Sequence, residues 1–124
     1  MTATKILIVE DSPETSSLLM RVLERAGYEV MHAAEGKSAV KMALFEKPQL
    51  VLLDIAVPYL DGIEVCRAIR SHPSTSKTKI VMISALNQKE DIAEAKAAGA
   101  LQYLTKPFLI EELLETVKSV LASS

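Results

Sequence analysis

Four short apolar runs, each ending in a reactive polar residue, constrain this chain most. Ile6-Leu7-Ile8-Val9 runs into Glu10-Asp11, and Leu50-Val51-Leu52-Leu53 into Asp54. Ile80-Val81-Met82-Ile83 ends in Ser84, and Leu101-Gln102-Tyr103-Leu104-Thr105 ends in Lys106-Pro107. The runs are β-branched and mostly apolar throughout, the pattern of strands covered on both faces. Parallel strands place all their carboxyl ends on one sheet edge, where open α/β folds bind ligands. The pattern therefore predicts that three carboxylates, a hydroxyl and an ammonium converge from distant parts of the sequence.

The segments between the runs read as amphipathic helices. Thr15, Leu18, Leu19, Val22, Leu23 and Ala26 fall at helical spacing, with Ser12 as N-cap, Pro13 at the first position and Gly27 as the stop. Tyr28 to Ala33 reads as a less apolar, edge strand, and Ser38 to Glu46 as a second helix ended by Lys47-Pro48. Pro58-Tyr59-Leu60-Asp61-Gly62 reads as a turn into a third helix carrying Ile63, Cys66 and Ile69. Asn87 is expected to cap an Ala-rich fourth helix that Gly99 ends. Ile110, Leu113, Leu114, Val117, Val120 and Leu121 form the stripe of a fifth. Five β-α repeats predict a five-stranded parallel sheet with helices on both faces and right-handed crossovers. The expected strand order is 2-1-3-4-5, the flavodoxin-like arrangement.

Composition narrows the function classes. At 124 residues, 49% of them apolar, the chain suits one domain spanning 1–124. A net charge of −2 with scattered Lys and Arg offers no electrostatic footprint for nucleic acid. One cysteine, Cys66, excludes an internal disulfide and fits a reducing compartment. It reads as a small core residue. The N-terminus lacks a signal-peptide layout, and no apolar run approaches the roughly 20 residues of a membrane span. The expectation is a cytoplasmic domain without membrane contact. His32 and His72 have no partner at metal-ligand spacing and read as surface residues.

The strand ends carry the chemistry. Carboxylates of Glu10, Asp11 and Asp54 meeting at one edge repel unless a cation sits among them. Magnesium takes hard oxygen ligands and keeps several waters. Asp11 and Asp54 are the expected direct ligands, Glu10 acts through water, and the Ala56 carbonyl supplies another oxygen. Asp54 is also a potential nucleophile toward a phosphoryl group. Such a transfer needs positioning and charge neutralisation, which magnesium and the Lys106 ammonium would supply. Ser84 offers a hydroxyl donor to a phosphoryl oxygen. A cis bond before Pro107 would suit a tight turn.

At these residues the chain resembles a receiver domain of the two-component response regulators. The matching motifs are Ile8-Val9-Glu10-Asp11, Leu53-Asp54-Ile55, Pro58 with Asp61-Gly62, Ile83-Ser84-Ala85, and Tyr103-Leu104-Thr105-Lys106-Pro107-Phe108. They stand in register across nearly the whole chain. The resemblance implies that Asp54 is phosphorylated and that Glu10 and Asp11 form the acidic pair at Mg2+. It implies that Ser84 is the switch hydroxyl, Lys106 the phosphate-binding lysine and Tyr103 the switch aromatic. The implied donor is a histidine kinase or histidine phosphotransfer protein, and the output an unidentified downstream effector reached through a switched surface. Such a domain catalyses its own phosphorylation and dephosphorylation but turns over no separate substrate.

The chain departs from the commonest family pattern in four places. Ala56 and Tyr59 replace a methionine and a glycine, and Ser84 replaces a threonine. Ala100-Leu101-Gln102 lacks the acidic pair that supports one mode of dimerisation. The resemblance implies that Ala56 and Leu86 flank the path of the water that removes the phosphoryl group; since neither orients water, a long-lived phosphorylated state is expected. The competing readings are a pseudo-receiver, disfavoured by the filled site, and a haloacid-dehalogenase-type phosphatase, which would need an aspartate where Ala56 stands. With the chain ending just after the fifth helix, no effector domain is expected, which fits a stand-alone regulator or a fragment of a longer protein.

Overall fold

The computed structural model describes residues 3–57 and 61–123; the expected turn at Pro58, Tyr59 and Leu60 lies outside the described residues. Strands β1 (Lys5–Val9), β2 (Glu29–Ala33), β3 (Leu50–Leu53), β4 (Lys79–Ser84) and β5 (Gln102–Thr105) alternate with helices α1 (Pro13–Arg25), α2 (Gly36–Glu46), α3 (Gly62–Ser71), α4 (Lys89–Ala98) and α5 (Ile110–Ala122). The sheet is parallel throughout, in order β2-β1-β3-β4-β5. The order reverses between β1 and β3, which open α/β sheets use as the mouth of a ligand crevice.

Strand side chains alternate between faces, and both faces are covered. Leu7, Val9, Val51, Leu53, Ile80 and Met82 pack under α2, α3 and α4, against Ala39, Ala43, Ile63, Cys66, Ile69, Ala95 and Ala98. Ile6, Ile8, Leu50, Leu52, Val81, Ile83 and Leu104 pack under α1 and α5, against Leu19, Leu23, Leu113, Val117 and Val120. Each fully buried Leu or Ile contributes about 1.5–3 kcal/mol relative to exposure. This two-sided cover explains why the strand runs lack polar alternation.

Caps and stops set the helix ends. The Ser12 hydroxyl accepts from Thr15 N at 3.4 Å, with Pro13 opening α1 as its fixed φ favours. Helix α4 starts one residue later than expected. Its N-cap is Gln88, whose N–H donates to the Asp91 carboxylate at 3.0 Å, so Asn87 is not the cap. Two stripe residues also differ. Leu18 and Ile110 are exposed, because the sheet-facing side of α1 runs through Ser16, Leu19 and Leu23 and that of α5 through Leu113, Val117 and Val120.

Arg70 is a structural residue that no sequence pattern marks. Its guanidinium donates to the carbonyls of Ser76 (2.7 Å), Thr78 (2.6 Å) and Gly99 (2.8 Å), pinning α3 to the entries of β4 and β5. Gly99 has φ 118, and a Cβ there would stand 2.7 Å from Arg70 Nε, so backbone and packing both require glycine. Cys66 is fully buried and its Sγ donates to the Ala98 carbonyl at 3.3 Å. Burial pushes the thiol up to about 11, against the pull of Arg70 and Arg67; so protonated a thiol is a poor nucleophile.

Candidate functional site

Backbone hydrogen bonds continue past the strands and fix the site residues to the sheet edge. Glu10 N donates to Ala33 O (3.1 Å), Asp54 N to Val9 O (3.0 Å) and Lys106 N to Ser84 O (2.9 Å). Each polar residue therefore projects from a rigid support. The Lys106-Pro107 bond is cis.

Glu10, Asp54 and Lys106 come together. The Lys106 ammonium donates to Glu10 Oε1 at 2.5 Å and to Asp54 Oδ2 at 2.7 Å. Both acids are buried, whereas the lysine side chain is 21% exposed. Asp54 Oδ1 accepts from Ala56 N at 3.0 Å, and Glu10 Oε2 from Ser12 N at 3.1 Å. All four carboxylate oxygens thus have donors, as buried acids require. Partial burial alone would lower the Lys106 pKa, but the hydrogen bonds and charges of Asp54 and Glu10 prevail, and the net direction is up. Two carboxylates against one ammonium leave the trio with an excess of negative charge.

Asp11 makes no hydrogen bond or ion pair with this trio among the described residues. It is exposed on the bend after Glu10 and enters none of the ion pairs found among the described residues. The sequence pattern places Glu10, Asp11 and Asp54 around one cation, with the Ala56 carbonyl nearby. Among the described residues no three acidic, His or Cys side chains gather as a metal cluster. In the described geometry the Lys106 ammonium is shared by Glu10 and Asp54, and Ala56 meets Asp54 through its N–H. The donor set remains hard oxygen at the ends of the adjacent strands β1 and β3, with surplus negative charge. That chemistry fits a magnesium ion that keeps several waters.

Ser84 is buried at the end of β4, its Oγ accepting from Leu86 N at 3.3 Å. The half-buried Tyr103 donates its phenol proton to the Leu86 carbonyl at 2.5 Å. One residue of the loop after β4 therefore ties both groups. Burial pushes the Tyr103 phenol up, the Ser84 hydroxyl draws it back, and the charges of Asp91 and Asp54 add to the rise.

Two residues at the site have roles that sequence reasoning misses. A Cβ on Gly62 would lie 2.5 Å from the Asp54 carbonyl oxygen and 2.6 Å from Ile55 Cα, and Gly62 N donates to Ile55 O at 2.9 Å. Gly62 thus lets α3 press against the backbone that carries Asp54. The other is His32, whose Nε2 lies 2.7 Å from the Glu10 carbonyl. In the sequence the glycine reads as part of a turn and of the matching motif with Pro58 and Asp61, without showing its approach to the Asp54 backbone, and the histidine carries no signal at all.

Comparison with known proteins defines the class to which this geometry belongs. The model of the response regulator receiver domain matches residues 6–118, and the chain belongs to that family. It is 38% identical over 117 residues to the DNA-binding dual master transcriptional regulator RpaA of Synechocystis, covering 94% of this chain and 48% of that protein. The chain spans about half the length of such curated relatives. It is 39% identical to Protein PilH of Pseudomonas aeruginosa, covering 95% of this chain and 98% of that one. Among solved structures it is similar to the receiver domain of the sensor histidine kinase PA1611 from Pseudomonas aeruginosa, which carries a magnesium ion in its active-site cleft. That match has a TM-score of 0.91 and 30% identity, and covers 98% of this chain and all of the other. The chain is a receiver domain of the two-component response regulators.

Proposed function

We propose that Asp54 accepts a phosphoryl group from a histidine kinase or histidine phosphotransfer protein, in a magnesium-dependent reaction that switches a partner-binding surface. The observation that carries this reading is the buried Asp54 carboxylate at the end of β3, held between the Lys106 ammonium and the Ala56 N–H. A carboxylate fixed on both oxygens is oriented for in-line displacement. One Asp54 oxygen forms the new O–P bond as the donor's P–N bond breaks, its electron pair staying on the donor nitrogen. Lys106 balances charge on the phosphoryl oxygens, and Ser84 reorients its hydroxyl to donate to one of them. Asp11, Asp54 and the Ala56 carbonyl would hold magnesium, with Glu10 acting through water. Bound there, the ion would neutralise the charge of the transferring group.

The switch follows from the shared loop residue. When Ser84 Oγ turns toward the phosphoryl group, Leu86 N loses its acceptor and the loop moves. The Leu86 carbonyl then leaves the Tyr103 hydroxyl, and the ring is free to turn inward. The face formed by α4, β5 and α5 changes shape. Only contacts that differ between the two packings drive such a shift. The same reading takes residues 1–124 as one cytoplasmic receiver unit that turns over no separate substrate and binds neither nucleic acid nor membrane itself. Among the described residues no helix is long and apolar enough to cross a membrane. The test is intact mass after incubation with acetyl phosphate and magnesium. Wild type should gain one phosphoryl group, and Asp54→Asn or chelation should abolish the gain. Full labelling of Asp54→Asn would overturn the assignment.

A further inference from the structure

We infer that His32 is a positioning residue for the site: its imidazole clamps the Glu10–Asp11 peptide and so fixes where the Asp11 carboxylate starts. The inference rests on the magnesium reading of Asp11. In the parallel ladder between β1 and β2, Glu10 N bonds Ala33 O at 3.1 Å. Regular continuation would bring Glu35 N to the Glu10 carbonyl. By then the chain has turned toward α2, which begins at Gly36. Among the described residues no backbone N–H replaces it. His32 fills the gap from the edge strand, its Nε2 2.7 Å from that carbonyl. A carbonyl only accepts, so Nε2 carries the proton and the tautomer is fixed.

The consequence falls on Asp11. Glu10 is held at every polar point: N–H by Ala33, carbonyl by His32, and carboxylate by Lys106 and Ser12. Asp11 is exposed and has no hydrogen bond of its own among the described residues, so the preceding peptide sets its direction. Releasing the carbonyl lets that peptide rotate and leaves the direction of the Asp11 carboxylate unset. Outer partners of metal-binding carboxylates act in this way.

Two variants test it. His32→Phe keeps an aromatic ring and removes the donor; His32→Gln keeps an N–H donor. Magnesium titration followed by NMR should give about fivefold weaker binding for His32→Phe, the factor one ordinary hydrogen bond contributes. His32→Gln should stay near wild type. Without metal, amide exchange at Ser12, whose N–H bonds the Glu10 carboxylate, should be faster in His32→Phe than in His32→Gln. Thermal melts check that all three proteins are folded. Wild-type affinity in His32→Phe, or equal weakening in both variants, overturns the positioning role alone. Absence of magnesium binding in wild type overturns the magnesium reading and this inference with it.

Discussion

Lys106→Ala strips the only cation found against Glu10 and Asp54 among the described residues. The lost contacts are two charge-assisted hydrogen bonds, at 2.5 Å and 2.7 Å. Breaking a buried ion pair from one side costs about 3–5 kcal/mol, because the partner charge is left uncompensated. The lysine side chain is 21% exposed and the acids 4% and 8%, so water reaches the ammonium side and the low end applies. The expected loss in metal-free buffer is therefore about 3 kcal/mol. Magnesium should restore part of it, since a second cation would neutralise the same acids. Its affinity should equal or exceed that of wild type, while phosphorylation-dependent output is impaired. Urea denaturation followed by far-UV circular dichroism, with chelator and with magnesium, measures both effects. Alkaline pH adds a check. The Lys106 pKa is raised above its ordinary 10.5, so its contribution is complete below that value and fades as pH rises through the higher folded one. Wild type should show this alkaline loss and the variant should not. A metal-free loss below about 0.5 kcal/mol, the size of an exposed pair, would refute the reasoning.

Gly62→Ala should drive a methyl group into the Asp54 carbonyl, lowering stability by about 1–3 kcal/mol and slowing phosphorylation by acetyl phosphate; a variant that matches wild type in both would contradict the close approach. Ala56→Asn or Leu86→Glu should speed loss of phosphate from the purified domain, because each supplies a group able to orient water. Decay within seconds in wild type, unaltered by either change, would show that these positions do not limit water access.

What the sequence disclosed was whatever local pattern dictates. Continuous apolar runs announced two-sided strands, and the polar residues ending them, Glu10, Asp54, Ser84 and Lys106, stand at one edge as parallel pairing requires. Ser12 and Pro13 announced the start of α1. What stayed hidden depends on contacts across the chain. Helical spacing alone does not fix how a helix is rotated, so Leu18 and Ile110 share the apolar spacing of the core and are nonetheless exposed. Arg70, His32 and Gly62 act on backbone groups between 6 and 29 residues away. Nothing in their neighbouring residues marks those partners. The sharing of Glu10 and Asp54 by Lys106 likewise emerged only from the folded geometry, since sequence order says nothing about which acid an ammonium selects.

The central claim, phosphorylation at Asp54, is tested most directly by chemical trapping. Hydride from borohydride reduces an acyl phosphate to the alcohol and leaves free carboxylates untouched. After incubation with acetyl phosphate and magnesium, reduction and peptide mapping should find homoserine at position 54 and nowhere else. Homoserine at Asp11 or another aspartate, or the 5-hydroxynorvaline that a reduced glutamyl phosphate would leave at Glu10, with position 54 unreduced, would contradict the account.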